Sequence, residues 1–167
     1  MKFKADHLID GITVEQYREM YFEDAFNDAM CVAVNLIRKP IKMERSGSKI
    51  VRHVHVEPQG REIPAPVAKL LGQSRFGYVE ELEFDFSRNE GVWRTIPALI
   101  PEKVTTGGTL RFVGEGSATR RIVHGDIEVR MFGIGGIVER FICSDAEKSY
   151  ADAAEFSRRW VRENPRG

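Results

Sequence analysis

Apolar and polar residues alternate through KFKADHLID, so that Phe3, Ala5, His7 and Ile9 share one face of an extended segment. Gly11 ends it and the period changes. Thr13 with Gln16 three residues later forms a capping box, the start signal of a helix. Tyr17, Met20, Tyr21, Phe26, Met30 and Val34 then recur at helical spacing, which predicts helix to about Leu36, broken in the middle and closed by Pro40. Alternation returns in IKMERSGSKIVRHVHVEP, a hairpin turning at SGS with Ile50, Val54 and Val56 on one face. IPAPVAKLLG reads as a short helix with Pro66 in its first turn and Gly72 as its stop.

FGYVEELEFDF is the clearest strand: Tyr78, Glu80, Leu82, Phe84 and Phe86 face one way, Val79, Glu81, Glu83 and Asp85 the other. An even loop after it, NE or RNEG, sets Phe86 opposite Trp93 and Phe84 opposite Thr95. Trp93 and Thr95 then join the apolar face and Arg94 meets solvent. An odd loop reverses every side chain and buries that arginine, so the even loop is the expectation. TTGGTLRFVGEG follows with Leu110 and Phe112 on one face. RRIVHGDIEVRMF turns Ile127, Val129 and Met131 inward and Asp126, Glu128 and Arg130 outward, with Gly125 read as a bulge. Finally Ile134, Val138, Phe141, Ile142, Ala146, Ala153, Phe156 and Trp160 trace the stripe of one long amphipathic helix behind the hinge GIGG.

The order is therefore strand, helical pair, about six consecutive antiparallel strands, long helix. No repeat, low-complexity tract or linker divides it, so residues 1–167 are expected to form one α+β domain. A twisted sheet with one apolar face needs a cover, and only the terminal helix, roughly 35–45 Å long at ~1.5 Å per residue, is long enough. A curved sheet gripping such a helix leaves a space of the kind in which small molecules bind. The candidate lining is Tyr78, Glu80, Phe84, Phe86, Trp93, Thr95, Phe112 and Arg121 from the sheet, with Ile137 and Phe141 from the helix.

This element order resembles the helix-grip fold of the START and polyketide-cyclase superfamily. More narrowly, REIPAPVAKLLGQSRFGYVEELEFDF and IEVRMFGIGGIVERFICSDAEKSYADAAEFSRRWVREN look like an uncharacterised bacterial START-like family. Gly133, Gly135, Gly136 and Glu139 match its G-x-G-G-x-x-E hinge, Pro64 and Gly72 its short helix, and Trp160 its helix end. These are fold signatures. The resemblance implies binding of a hydrophobic or amphipathic ligand such as a lipid, sterol or polyketide, and in a minority of relatives cyclase or other enzymatic activity.

Composition narrows the partners. Lys plus Arg and Asp plus Glu are 25 each, a formal net charge of zero, which argues against a nucleic-acid binder working through bulk electrostatics. No apolar run approaches the ~20 residues of a membrane span, and MKFKADHLIDG lacks a signal-peptide core. With Cys31 and Cys143 read as free, reduced thiols, the expectation is a cytoplasmic protein.

Candidate chemistry is sparse. His53 and His55 have the His-x-His spacing of some zinc sites, but their parity with Val54 and Val56 puts them outside, so no metal and no cofactor is expected. Glu80 sits between Tyr78 and Leu82 on the inward face, as a ligand-orienting group, a general acid/base, or a carboxylate reaching water at the rim. Arg121 shares the parity of Val123 and is its candidate partner. Arg158, Arg159, Arg162 and Arg166 have two readings, a transient membrane contact through anionic lipid headgroups and complementation of the negative end of the last helix dipole, of which the second is preferred. The leading expectation is a binding module. The alternatives are a cyclase-like or hydrolytic enzyme using the same cavity, and an interaction protein using the outer sheet face.

Overall fold

Lys2–Asp10 (β1), Leu36–Ser46 (β2), Lys49–Pro58 (β3), Tyr78–Asp85 (β4), Glu90–Pro97 (β5), Val104–Glu115 (β6) and Ala118–Val129 (β7) pair into one antiparallel sheet. The computed structural model describes residues 1–71 and 76–166. Sheet order is β1-β7-β6-β5-β4-β3-β2, so consecutive strands are neighbours from β2 to β7 and β1 returns to pair with β7. Val14–Tyr21 (α1), Asp24–Ala33 (α2) and Ala65–Leu71 (α3) are short helices, and Gly135–Glu163 (α4) is the long one. At 29 residues α4 extends ~43 Å, and it packs on β1, β7 and α2 in the grip of the curved sheet.

Local chemistry explains most boundaries. Both halves of the Thr13 capping box form, Gln16 N–H donating to Thr13 Oγ1 at 3.4 Å and Thr13 N–H to Gln16 Oε1 at 3.1 Å. The break between α1 and α2 falls at Phe22–Glu23, where buried Asn27 donates its amide to the carbonyls of Tyr21 (2.9 Å) and Glu23 (2.8 Å), satisfying helix-end acceptors. Pro40, however, does not close a helix. Asn35 turns the chain at φ 55 and Pro40 lies within β2, beside a register shift between Pro40 and Lys42. β2 is an edge strand, the place in a sheet where a missing N–H is tolerated. Pro66 sits in the first turn of α3 as read, and the Gly72 stop lies outside the described residues.

The β4–β5 register keeps the expected parity and corrects the pairing. Leu82 is opposite Trp93, Glu80 opposite Thr95 and Phe84 opposite Gly91. Phe86 is part of the turn and pairs with no residue of β5; Arg18 holds that turn by donating to Phe86 O (2.7 Å) and Asn89 Oδ1 (3.1 Å). Gly91 suits its position because a Cβ there would come within 2.4 Å of Glu83 O. Gly125 is not a bulge. It pairs continuously with Phe3 and Gly108, and a Cβ on it would stand 2.0 Å from the Phe3 ring. Gly108 and Gly125 together clear a shelf on which Phe3 and Trp93 approach, ring centroids 6.2 Å apart.

At the hinge Gly133 has φ 78, and a Cβ on Gly135 would meet Val129 O at 2.5 Å. Glu139 Oε1 accepts from Val129 N–H at 2.9 Å, tying the first turns of α4 to the end of β7. One end of the grip is solid. Tyr17, Phe22, Phe84, Phe86 and Phe112 interlock there under α1 and α2, with centroids 4.9 Å (Tyr17–Phe112), 5.1 Å (Phe84–Phe112) and 5.4 Å (Phe22–Phe84) apart.

Candidate functional site

Beyond that aromatic plug the sheet and α4 separate and enclose a cavity of about 270 Å³. Its walls are mostly apolar: Met30 from α2, Val54 and Val56 from β3, Phe76, Ile127 from β7, and Val138, Phe141, Ile142 and Ala146 from α4. Period-2 alternation turns every second residue of β3, β4, β5 and β7 to the inner face, and part of that face, including Val54, Val56, Tyr78, Thr95 and Ile127, lines this space. The same alternation delivers the polar groups.

Arg52 follows the parity of Ile50 and Val54, and lies opposite Leu82 while Val54 lies opposite Glu80. Arg52 and Glu80 are therefore diagonal neighbours on one face, and Arg52 Nη2 donates to Glu80 Oε1 at 2.8 Å. Arg52 is buried, its guanidinium 5.2 Å above the Tyr21 ring and 5.4 Å above that of Phe22. Burial works against this charge, but Tyr21 and Glu80 together outweigh it and hold the proton more firmly than usual. Arg121 also points inward and is buried, yet it does not pair with Glu80 as expected: its Nη2 donates to Tyr150 O at 2.7 Å. Glu80 is engaged across its nearest strand pair, and Arg121 is held against α4.

Three tyrosines complete the polar set. Burial, reinforced by the charge of Glu80, pushes the hydroxyls of Tyr78 and Tyr150 well above the ordinary range. Burial also raises Tyr21, partly offset by Arg52. All three stay protonated, so each hydroxyl can donate a hydrogen bond to a ligand. The hydroxyls of Thr95 and Thr106 meet each other on the wall. Asp145 and Ser149 of α4 are both engaged by Arg61, each at 2.7 Å.

Of the residues read from sequence, Tyr78, Glu80, Trp93, Thr95, Arg121 and Phe141 lie on the cavity wall. Phe84, Phe86 and Phe112 do not; they belong to the packed plug, because α1 and α2 cover their end of the sheet. Ile137 is also off the wall, 38% exposed on the outer side of α4. Sequence reasoning missed Arg52, Tyr21 and Tyr150. Arg52 had a usable signal, a charge at an inward parity position; the tyrosines had none beyond helical spacing. His53 and His55 lie on the outer side, with His55 Nε2 at 3.0 Å from Glu57 Oε1. Cys31, on the wall, has its thiol pushed up by burial. Among the described residues no group of three potential ligands gathers for a metal, and no helix is long and apolar enough to cross a membrane.

A family model described as "Protein of unknown function (DUF2505)" matches residues 8–161. No curated protein matches. Among solved structures, TTHA0849 from Thermus thermophilus superposes with a TM-score of 0.69 at 12% identity, covering 99% of this chain and 100% of that one. The Zhui aromatase/cyclase from Streptomyces sp. R1128 gives 0.67 at 11% identity, with 100% and 98% covered. The di-domain ARO/CYC StfQ from the steffimycin biosynthetic pathway gives 0.64 at 10% identity, with 97% of this chain on 51% of that one. At these identities the likeness is one of fold, the α+β helix-grip architecture.

Proposed function

This chain belongs to the DUF2505 family of proteins of unknown function, and we propose that it binds a hydrophobic or amphipathic small molecule, such as a lipid, between the sheet and α4. One observation carries the reading: aromatic side chains pack one end of the grip solid, while the other keeps about 270 Å³ inside largely apolar walls. Unfilled apolar space forfeits packing energy in a fold that elsewhere fills its core, and an apolar ligand restores it. On the same architecture, and with aromatase/cyclases among its structural neighbours, we place residues 1–167 as one domain of the START/polyketide-cyclase superfamily.

A second reading, aromatase/cyclase-like catalysis in the same cavity, is favoured by the convergence of Arg52, Glu80, Arg121, Tyr21, Tyr78 and Tyr150. Protonated tyrosines and guanidiniums donate to carbonyl oxygens, and a carboxylate beside them can take a proton from carbon. Binding ranks first because the carboxylate is already engaged by Arg52.

Native mass spectrometry of protein purified from its own host, with organic extraction of the bound fraction, tests the first reading. The expected result is a protein carrying an apolar molecule that extraction releases. Protein that flies only as the bare chain, and whose Trp93 emission ignores every amphiphile from eight to sixteen carbons, sinks it. Ring closure of a poly-β-ketone thioester mimic that disappears in Glu80→Gln, with binding retained, would move the second reading ahead.

A further inference from the structure

Resting on the binding reading above, we infer that the ligand carries an acidic group, a carboxylate or an equivalent anionic head, that docks on Arg121 with Arg52 beside it. The argument is one of charge. Each other charged side chain on the cavity wall has an opposite partner: Arg38 has Asp24 (3.2 Å) and Asp28 (3.0 Å), Asp145 has Arg61 (2.7 Å), and Glu80 has Arg52 (2.8 Å). Among the described residues Arg121 has no carboxylate. It is 2% exposed, its one hydrogen bond goes to the backbone carbonyl of Tyr150, and its Nε is buried without a partner.

Arginine does not shed its proton in proteins, and an isolated buried charge is costly. Within the protein the Arg121 charge is met only by the Tyr150 carbonyl and by the Tyr150 ring, 5.6 Å from the guanidinium, and an anionic group entering the cavity would supply the counter-charge that is missing. Arg52 points the same way, since Glu80 takes only Nη2 and leaves Nε and Nη1 buried without partners. Two guanidiniums thus face a single carboxylate, leaving one net positive charge at the polar end of an otherwise apolar chamber. The Tyr21 hydroxyl lies within electrostatic reach of Arg52, Glu80 and Arg121 and supplies a further donor. His7, paired with Arg121 across β1 and β7, is held neutral by burial and by the charges of Arg121 and Arg158, so it adds no competing positive charge.

The guanidinium fork matches a carboxylate with two parallel hydrogen bonds. About 270 Å³, against the ~10–15 Å³ that holds one water, accommodates roughly a dozen to twenty heavy atoms. A medium-chain acid fits both demands.

Decanoate, decanol and decylamine separate the possibilities, titrated below their aggregation limits at neutral pH into the Trp160→Phe protein and followed by Trp93 emission and calorimetry. Decanoate is expected to bind at least tenfold more tightly than decanol, with decylamine weakest. Arg121→Met should cost decanoate at least tenfold and leave decanol within threefold; Arg121→Lys, which keeps the charge without the fork and guards against a misfolded Met variant, should fall between. Decanol binding as well as decanoate, or an acid preference that survives in both Arg121 variants, overturns the inference and leaves the binding reading standing. If none of the three binds the parent protein, the binding reading falls and the inference with it.

Discussion

Phe84 and Trp93 share one face of the sheet but not one fate. Phe84 is 1% exposed and touches Phe22, Phe86 and Phe112, whereas Trp93 borders the cavity with its indole N–H 3.4 Å from Thr109 O. Phe84→Ala should cost ~3–5 kcal/mol in urea unfolding, and Trp93→Ala only ~1–2 kcal/mol, because truncation beside existing space creates less new cavity. Equal losses would mean the indole is packed and the cavity drawn too large. The Arg52–Glu80 pair is asymmetric in a similar way, with side chains 6% and 27% exposed. Removing the partner of the deeper charge should hurt more. Glu80→Ala is expected to destabilise by ~3 kcal/mol and Arg52→Met by less, since the carboxylate left behind can reach water. The opposite ranking would show that Arg52 finds its compensation elsewhere.

At the scale of elements, the hinge glycines separate close approach from mere permissiveness. A Cβ on Gly135 would press to 2.5 Å on Val129 O, while one on Gly136 meets only Arg140 Nη1 at 3.8 Å. Gly135→Ala should therefore push α4 away from β7 and cost ~2–3 kcal/mol. Gly136→Ala, one step on in the same helix, should stabilise by ~0.5–1 kcal/mol through helix propensity. Thermal unfolding of the two variants checks this directly, and a destabilised Gly136→Ala would mean that the hinge has to flex. Much of the element plan was legible: alternation marked the strands, and Thr13 with Gln16 marked α1. Pro40 misled, because proline stops a helix and is equally at home in an edge strand, and edge position is a property of the sheet.

For the molecule as a whole, the cavity offers a chemical reporter. Cys31 lines it and Cys143 does not, and burial pushes both thiols up. In Cys143→Ala, maleimide should label Cys31 at least tenfold more slowly in the folded than in the urea-unfolded protein. Bound decanoate should slow labelling further. Labelling that is fast and indifferent to amphiphile would mean that reagent reaches Cys31 without crossing ligand space. The chamber lies to one side of the packing that holds the grip together: α4 packs on β1, β7 and α2, and the aromatic plug under α1 and α2 closes one end.

What the sequence determined by itself was local and periodic. Parity along each strand is a property of the pleat, so it assigned Glu80 and Arg121 to the inward face, and an even turn length carried the same parity across to Trp93. Helical period and hinge glycines likewise predicted one long terminal helix. What only the tertiary structure decided was convergence. Whether an inward residue meets space or another ring depends on where α1 and α2 come to rest, which separates Phe84, Phe86 and Phe112 from Tyr78 and Thr95 on the same face. The partner of Glu80 depends on the β3–β4 register, which offered Arg52 before Arg121. Parity repeats every two residues and is blind to sliding by two, so it kept Trp93 inward while misplacing its partner as Phe86; only side-chain packing selects among registers that alternation leaves equivalent.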